Sequence, residues 1–181
     1  MGITQEGNPQ LQDTGEGKAV VFDGVHDRLL VPTNPLEGSQ VFTIEVLFMP
    51  CSGGATEQRF VHLAEDGGEM NRILLETRIH QNEWFLDTFL QSGSDLLVLN
   101  EPRMTHATDH WYWVAMSYDG KMMRHFVNGE EEAAGPVAFA PLGTGKTSLG
   151  VRMNKVSWFK GAIKELLFHR YAVSAPELKR V

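Results

Sequence analysis

The sequence predicts an all-β chain folded as a two-sheet antiparallel sandwich of the jelly-roll kind, with one short helical turn near the C-terminus. Three observations carry that expectation. Short segments with apolar residues at alternate positions recur along the chain and are separated by turn residues. No long segment shows the apolar period of a helix, so no helical crossover is available to join parallel strands. Eighteen Gly and eight Pro are spread through the 181 residues, as many tight connections require.

The strand candidates follow in order. Residues 1–17 are polar and acidic and read as a tail or a loosely held first strand, ahead of a single domain over 18–181. Residues 18–22 end at Asp23-Gly24, and residues 28–31 end at Pro32. Residues 41–49 place Phe42, Ile44, Val46 and Phe48 on one face, the period of two expected of a half-buried strand. Residues 59–64 and 72–79 come next, then 83–90, where Trp84, Leu86, Thr88 and Leu90 alternate with Phe85, Asp87 and Phe89. A short run at 96–99 stops before Pro102. Residues 110–118 and 122–127 are followed by Asp119-Gly120 and Asn128-Gly129, dipeptides that tolerate the positive φ of tight hairpin turns. Residues 147–152 and 158–169 complete the set. In the last, Phe159, Gly161 and Ile163 share a face while Leu166 and Phe168 form the next apolar pair, so a β-bulge is expected near Lys164-Glu165. Ser174-Ala175-Pro176-Glu177 has the residues of a capped helical turn.

Composition narrows the function. A net charge of −7 disfavours nucleic acid as a partner, because an acidic surface repels phosphates. The acidic run at 130–132 follows a turn signal and reads as a solvated loop. Cys51 is the sole cysteine, so no intrachain disulfide forms. No apolar stretch is long enough for membrane insertion, and the segment beginning at Met1 lacks the basic start and apolar core of a signal peptide.

Four segments together resemble the laminin G-like jelly-roll family of the concanavalin A-like lectin and glucanase superfamily. They are residues 19–32 around Phe22-Asp23-Gly24, residues 42–50 (Phe-Thr-Ile-Glu through Pro50), the Trp111–Gly120 hairpin strand with Phe126-Val127-Asn128-Gly129, and the closing strand from Phe159 through Tyr171 to Ser174. The resemblance spans roughly residues 18–178. It implies a concanavalin A-like sandwich that binds a glycan or a protein surface without catalysis, in an exported (periplasmic, cell-surface or secreted) protein. Some relatives hold a structural calcium. Lys164 stands where the family usually has Asp, which disfavours an anionic calcium cage, so no cofactor is expected. Asp23 and Asp27 are the remaining candidate ligands, and turn formation is their simpler role.

Catalytic readings find little support. The glycosidases of the superfamily need two carboxylates across a cleft, and no Glu-x-Asp-x-(x)-Glu run is present. Glu83 and Asp87 share a strand face but lie ~13 Å apart along it, so they read as solvent-facing polar residues. Residues 143–147 end like a phosphate-binding loop, yet Ala140 replaces the first Gly and a strand follows, so no nucleotide is expected. His106 and His110 have no companion zinc ligands.

The aromatics offer a binding hypothesis. Residues 110–118 are apolar or aromatic on both faces, whereas a sandwich strand needs one such face. The second set either lines a groove for sugar rings or lies under a covering loop. The candidate ligand-contacting residues are Trp84, Trp113, Tyr112, Arg72, Asn71 and His62. The rival functions are a structural, self-associating sandwich and a glycoside hydrolase with an atypical carboxylate pair.

Overall fold

The computed structural model describes residues 2–68 and 70–181, so Met1 of the polar N-terminal segment lies outside the described residues. Among these, the strands are β1 (Thr4–Glu6), β2 (Gln10–Thr14), β3 (Gly17–Asp23), β4 (Arg28–Val31), β5 (Phe42–Pro50), β6 (Glu57–Glu65), β7 (Asn71–His80) and β8 (Glu83–Ser92). They continue with β9 (Asp95–Asn100), β10 (His106–Ala107), β11 (Tyr112–Tyr118), β12 (Met122–Val127), β13 (Glu130–Pro136), β14 (Gly145–Leu149) and β15 (Lys160–His169). One 3-10 turn, Ala175–Glu177, closes the chain. The Glu177 carboxylate accepts from the backbone N–H of Ser174 (3.4 Å) and from its hydroxyl (2.5 Å).

The strands form two antiparallel sheets. Sheet I runs β1-β4-β14-β6-β7-β8-β10, with β9 also paired to β8; sheet II runs β13-β12-β11-β5-β15-β3-β2. The N-terminal segment therefore adds an edge strand to each sheet, β1 to sheet I and β2 to sheet II. The run at 130–132 is not a loop: the Asn128-Gly129 turn, with both residues at positive φ, feeds it directly into β13 opposite β12. Such two-residue turns match the twist of paired strands, and so the ladder continues through the glutamates. The bulge in β15 lies where the apolar phase slips, between Ile163 and Glu165.

The core lies between the sheets. Phe48 of β5 stacks on Phe60 of β6 at 4.5 Å between ring centroids and meets the edge of Trp84 of β8 at 5.2 Å. Trp84, Leu86, Thr88 and Leu90 point inward and are buried, as the alternation of β8 requires. On β11 the inward set is Tyr112, Val114, Met116 and Tyr118. Its outward set, Trp113 and Ala115, is covered by the C-terminal segment. Val173 and Leu178 pack with Ala115 and Phe126, and the Lys179 ammonium sits 5.1 Å from the Trp113 ring centroid. The Thr43 hydroxyl and Glu45 carboxylate of β5 accept from the backbone N–H groups of Val173 and Lys179 and fix that segment in place.

Candidate functional site

Among the described residues no apolar segment of that kind packs over the outer face of sheet I, whose floor is buried instead by its own side chains and a rim. Period two along β7 puts Arg72, Leu74, Glu76 and Arg78 outward while Ile73, Leu75, Thr77 and Ile79 enter the core. On β8 the outward residues are Phe85, Asp87 and Phe89. On β6 a bulge intervenes. The register shifts between Arg59 and Val61, so Phe60 and Val61 both face the core, and Arg59 and His62 both face outward although they are three residues apart. The ladder then aligns His62 with Leu74 and Phe89 in one row, and Arg59 with Glu76 and Asp87 in the next.

Two adjacent depressions occupy this face. One, of about 400 Å³, is lined by Arg28, Leu30, His62, Lys146, Met153, Asn154 and the loop at 65–68. The other, of about 240 Å³, is lined by Arg59, Arg72, Leu74, Glu76, Arg78, Asp87, Phe89, Val98 and Arg152. Residues 150–159, between β14 and β15, form the rim. They are pinned to the bulged stretch of β6 by Gly150 N–H to Phe60 O (3.1 Å), Arg59 N–H to Ser157 O (3.0 Å) and Met153 N–H to His62 Nδ1 (2.8 Å).

The floor is charged and largely closed to water. Arg59 Nε lies 3.1 Å from Glu76, Arg78 Nε lies 2.7 Å from Asp87, and both guanidiniums also pair with Glu57. Arg28 donates to Ser148 Oγ (2.9 Å) and to Glu6 (3.3 Å). Arg72 lies over the Phe89 ring at 4.8 Å. Burial raises the carboxyl pKa of Glu76 and of Asp87, and the neighbouring guanidiniums partly offset it. Burial, followed by the positive field of Arg152, Arg72, Arg28 and Arg59, lowers the His62 pKa to about 3, so this imidazole is neutral at physiological pH. Because the Met153 N–H donates to Nδ1, the ring proton sits on Nε2.

The six sequence-derived candidates separate. His62 and Arg72 lie on this outer face. Asn71 lies at the end of β7, where its amide donates to Glu65 (2.8 Å) and its oxygen accepts from the Gly93 N–H (2.8 Å). Trp84 does not reach the face: it is fully buried on the inward side of β8. Tyr112 packs against it at 5.1 Å, and its hydroxyl donates to Ala107 O. Trp113 belongs to sheet II and lies under the C-terminal segment. Asp87, read as a solvent-facing residue, does face outward but is 2% exposed because Arg78 folds over it. Arg28, Arg59, Glu76, Arg78 and Asp87 were missed as site residues. The alternation of Arg72, Glu76 and Arg78 with apolar residues was the available signal for β7.

Among the described residues no group of three or more His, Cys, Asp or Glu side chains is placed to hold a metal ion. Asp23 and Asp27 serve the turn. Asp23 Oδ1 accepts from the N–H groups of Val25 and His26 (2.8 Å each), and Asp27 accepts from those of Asn8 (2.7 Å) and Asp23 (2.9 Å). Among the described residues no helix is long and apolar enough to cross a membrane.

The fold has known relatives. Residues 23–179 match the profile of the Laminin_G_3 family, described as the concanavalin A-like lectin/glucanases superfamily. No curated protein matches at a significant level. Among solved structures, domain 4 of AbnA, a GH43 extracellular arabinanase from Geobacillus stearothermophilus in complex with arabinotriose, is similar. The identity is 20% and the TM-score 0.72, over 97% of this chain and 84% of that one. The Ruminococcus gnavus IT-sialidase CBM40 bound to alpha2,3 sialyllactose is 18% identical with a TM-score of 0.65, over 96% and 95% of the two chains. The heptameric SAP-like pentraxin of Limulus polyphemus is 14% identical with a TM-score of 0.67, over 96% and 78%.

Proposed function

Since the chain belongs to the concanavalin A-like lectin/glucanase superfamily, we propose that it is a non-catalytic carbohydrate-binding module that takes its ligand on the outer face of sheet I. One observation carries the reading: among the described residues, this outer face joins two depressions to a buried array of hydrogen-bonding side chains, whereas the depression on sheet II, of about 300 Å³, is lined by the exposed or half-exposed Asp119, Arg124 and Glu131. A sugar site needs both a shaped, partly apolar surface and fixed polar groups to select hydroxyls. Leu74, Phe89 and Val98 supply the first, and His62, Arg59, Glu76, Arg78 and Asp87 supply the second. The similar domains solved with arabinotriose and with sialyllactose support a glycan as the ligand class. The extracellular arabinanase among them supports an exported location.

Hydrolysis fits poorly. A glycosidase needs one carboxyl on each side of the scissile bond. Glu76 and Asp87 are cross-strand neighbours on the same floor, and each is held by a guanidinium.

The test is calorimetric titration of the full chain with a panel of soluble oligosaccharides, with reducing-sugar release followed in parallel. Saturable heat without sugar release is the expected result. Release of reducing ends overturns the non-catalytic reading, and silence across the panel overturns glycan binding.

A further inference from the structure

Two buried polar atoms on the floor of sheet I have no protein partner among the described residues: His62 Nε2 and Asp87 Oδ1. Neither side chain is idle otherwise. His62 uses Nδ1 to accept from the Met153 N–H, and Asp87 uses Oδ2 to accept from Arg78. His62 is 0% exposed, Asp87 is 2% exposed, and each lines one of the two adjacent depressions. A buried group left without a partner costs about 1–3 kcal/mol, and an ordered water or a ligand group is what completes it. Thr77 Oγ1, Trp84 Nε1 and His125 Nε2 are in the same position, but they lie inside the sandwich and line neither depression.

The two atoms are of opposite kind. With Nδ1 occupied as an acceptor, Nε2 carries the proton and is a donor. Asp87 Oδ1 is an acceptor. His62 stands on β6 and Asp87 on β8, two strands away and two residues off the shared row. Strand spacing makes that ~10 Å across and ~7 Å along, hence ~12 Å in all. A single sugar ring cannot bridge such a distance, whereas an oligosaccharide can.

The cations around the floor, Arg72 and Arg152 included, already have interactions of their own. Arg28 pairs with Glu6, Arg59 with Glu57 and Glu76, Arg78 with Glu57, Glu76 and Asp87, and Lys146 with Asp66. A ligand carboxylate near Asp87 would also meet the acceptor it most resembles.

We infer that the ligand is a neutral oligosaccharide of at least two sugar units, gripped at two points: one hydroxyl accepts from His62 Nε2–H and another donates to Asp87 Oδ1. This rests on the glycan-binding reading above and extends it to ligand charge, ligand length and two named contacts. Both atoms are shielded from water in the free chain, so the side chains over them, Arg78 over Asp87 among them, shift as the sugar enters. The imidazole holds its single proton throughout the physiological range, so the His62 contact adds no pH dependence between pH 5 and 8, where an ordinary histidine would titrate.

The experiment titrates the full chain and three variants with neutral and uronic-acid-containing oligosaccharides of one to four units. His62→Phe removes the donor, His62→Gln restores an N–H near the same place, and Asp87→Asn turns the acceptor into a donor. Thermal unfolding checks that each variant folds. We expect neutral di- to tetrasaccharides to bind and monosaccharides to fail. Each of His62→Phe and Asp87→Asn should weaken binding about tenfold, the usual cost of one orphaned hydrogen bond, and His62→Gln should recover most of the loss. The Nε2–H proton resonance of His62 should move on saturation. Wild-type binding that both variants retain overturns the two-point grip and leaves the glycan-binding reading standing. A preference for acidic glycans overturns ligand neutrality. Failure of the wild-type chain to bind any member overturns both readings. If His62→Phe does not fold, Asp87→Asn and the His62 resonance decide the matter.

Discussion

The outer faces of the two sheets solve the same problem in opposite ways. Each presents residues that bulk water alone would not suit. Sheet II has Trp113, Ala115 and Phe126 on its exterior and covers them with Val173, Leu178 and Lys179. Sheet I has ionised and hydrogen-bonding groups on its exterior, pairs them with one another, and among the described residues carries a rim rather than an apolar cover. Apolar surface is stabilised by any dry contact, so the chain's own end suffices for sheet II. Buried polar atoms need partners of matching kind and direction, and on the exterior of sheet I His62 Nε2 and Asp87 Oδ1 have none among the described residues. A closed face of this sort contributes stability, and an open one is available for recognition.

The comparison can be broken by experiment. The largest effect is expected for Trp113→Ala, which empties the volume beneath the C-terminal segment and should cost about 3 kcal/mol in urea unfolding. Glycan affinity should stay as it was, and its loss would reverse the roles assigned to the two faces. Arg78→Met leaves the buried Asp87 carboxylate without its main partner and should also cost about 3 kcal/mol. Here the deficit should shrink as pH falls, since a protonated Asp87 no longer needs the cation; a deficit independent of pH would show that the pair is not the cause.

Acid should sharpen the contrast between the interior and the open face. Both His62 and His125 are held neutral by burial, with pKa values lowered to about 3 and about 4. The unfolded chain takes up these protons first, near pH 6.5, so the stability they carry is complete above that value and is lost as pH falls toward 4 and then 3. The slope should reach ~1.4 kcal/mol per pH unit for each group. His125→Gln, which alters only the interior of the sandwich, should flatten the upper part of that decline and leave glycan affinity intact. The smallest effect is expected for Tyr112→Phe, which loses the hydrogen bond to Ala107 O, about 1 kcal/mol, with no change in binding.

Much of the architecture was readable in the sequence because it rests on local alternation. The apolar period of β5 and β8, the Asp-Gly and Asn-Gly turns and the phase slip in β15 each act within a few residues. The edge strands were harder. Residues 10–14 of β2 are nearly all exposed and residues 130–132 of β13 are acidic, so neither bears an apolar stripe, and only pairing to a neighbour makes them strands. The site was legible in part. Arg72 and His62 stand where strand phase puts them, but the aromatic residues chosen beside them do not. Period two cannot say which side of β8 is inward, and Trp84, the largest side chain there, went to the core. The bulge at Phe60 hid the relation of Arg59 to His62, since three residues apart in an unbroken strand means opposite faces. The rim at residues 150–159 is held by backbone groups, which carry no residue-type signature.

Glu6 has a practical consequence for anyone who would trim this domain. Its carboxylate takes Arg28 at 3.3 Å with one oxygen and Lys155 at 2.8 Å with the other, joining the first strand to the wall and the rim of the larger depression. A shortened chain beginning at residue 18, the boundary that amino-acid composition suggests, would keep every strand of the core and lose that clasp. Such a fragment should remain folded yet bind less well, and an affinity tag is better joined to the other end or set off by a spacer before Thr4.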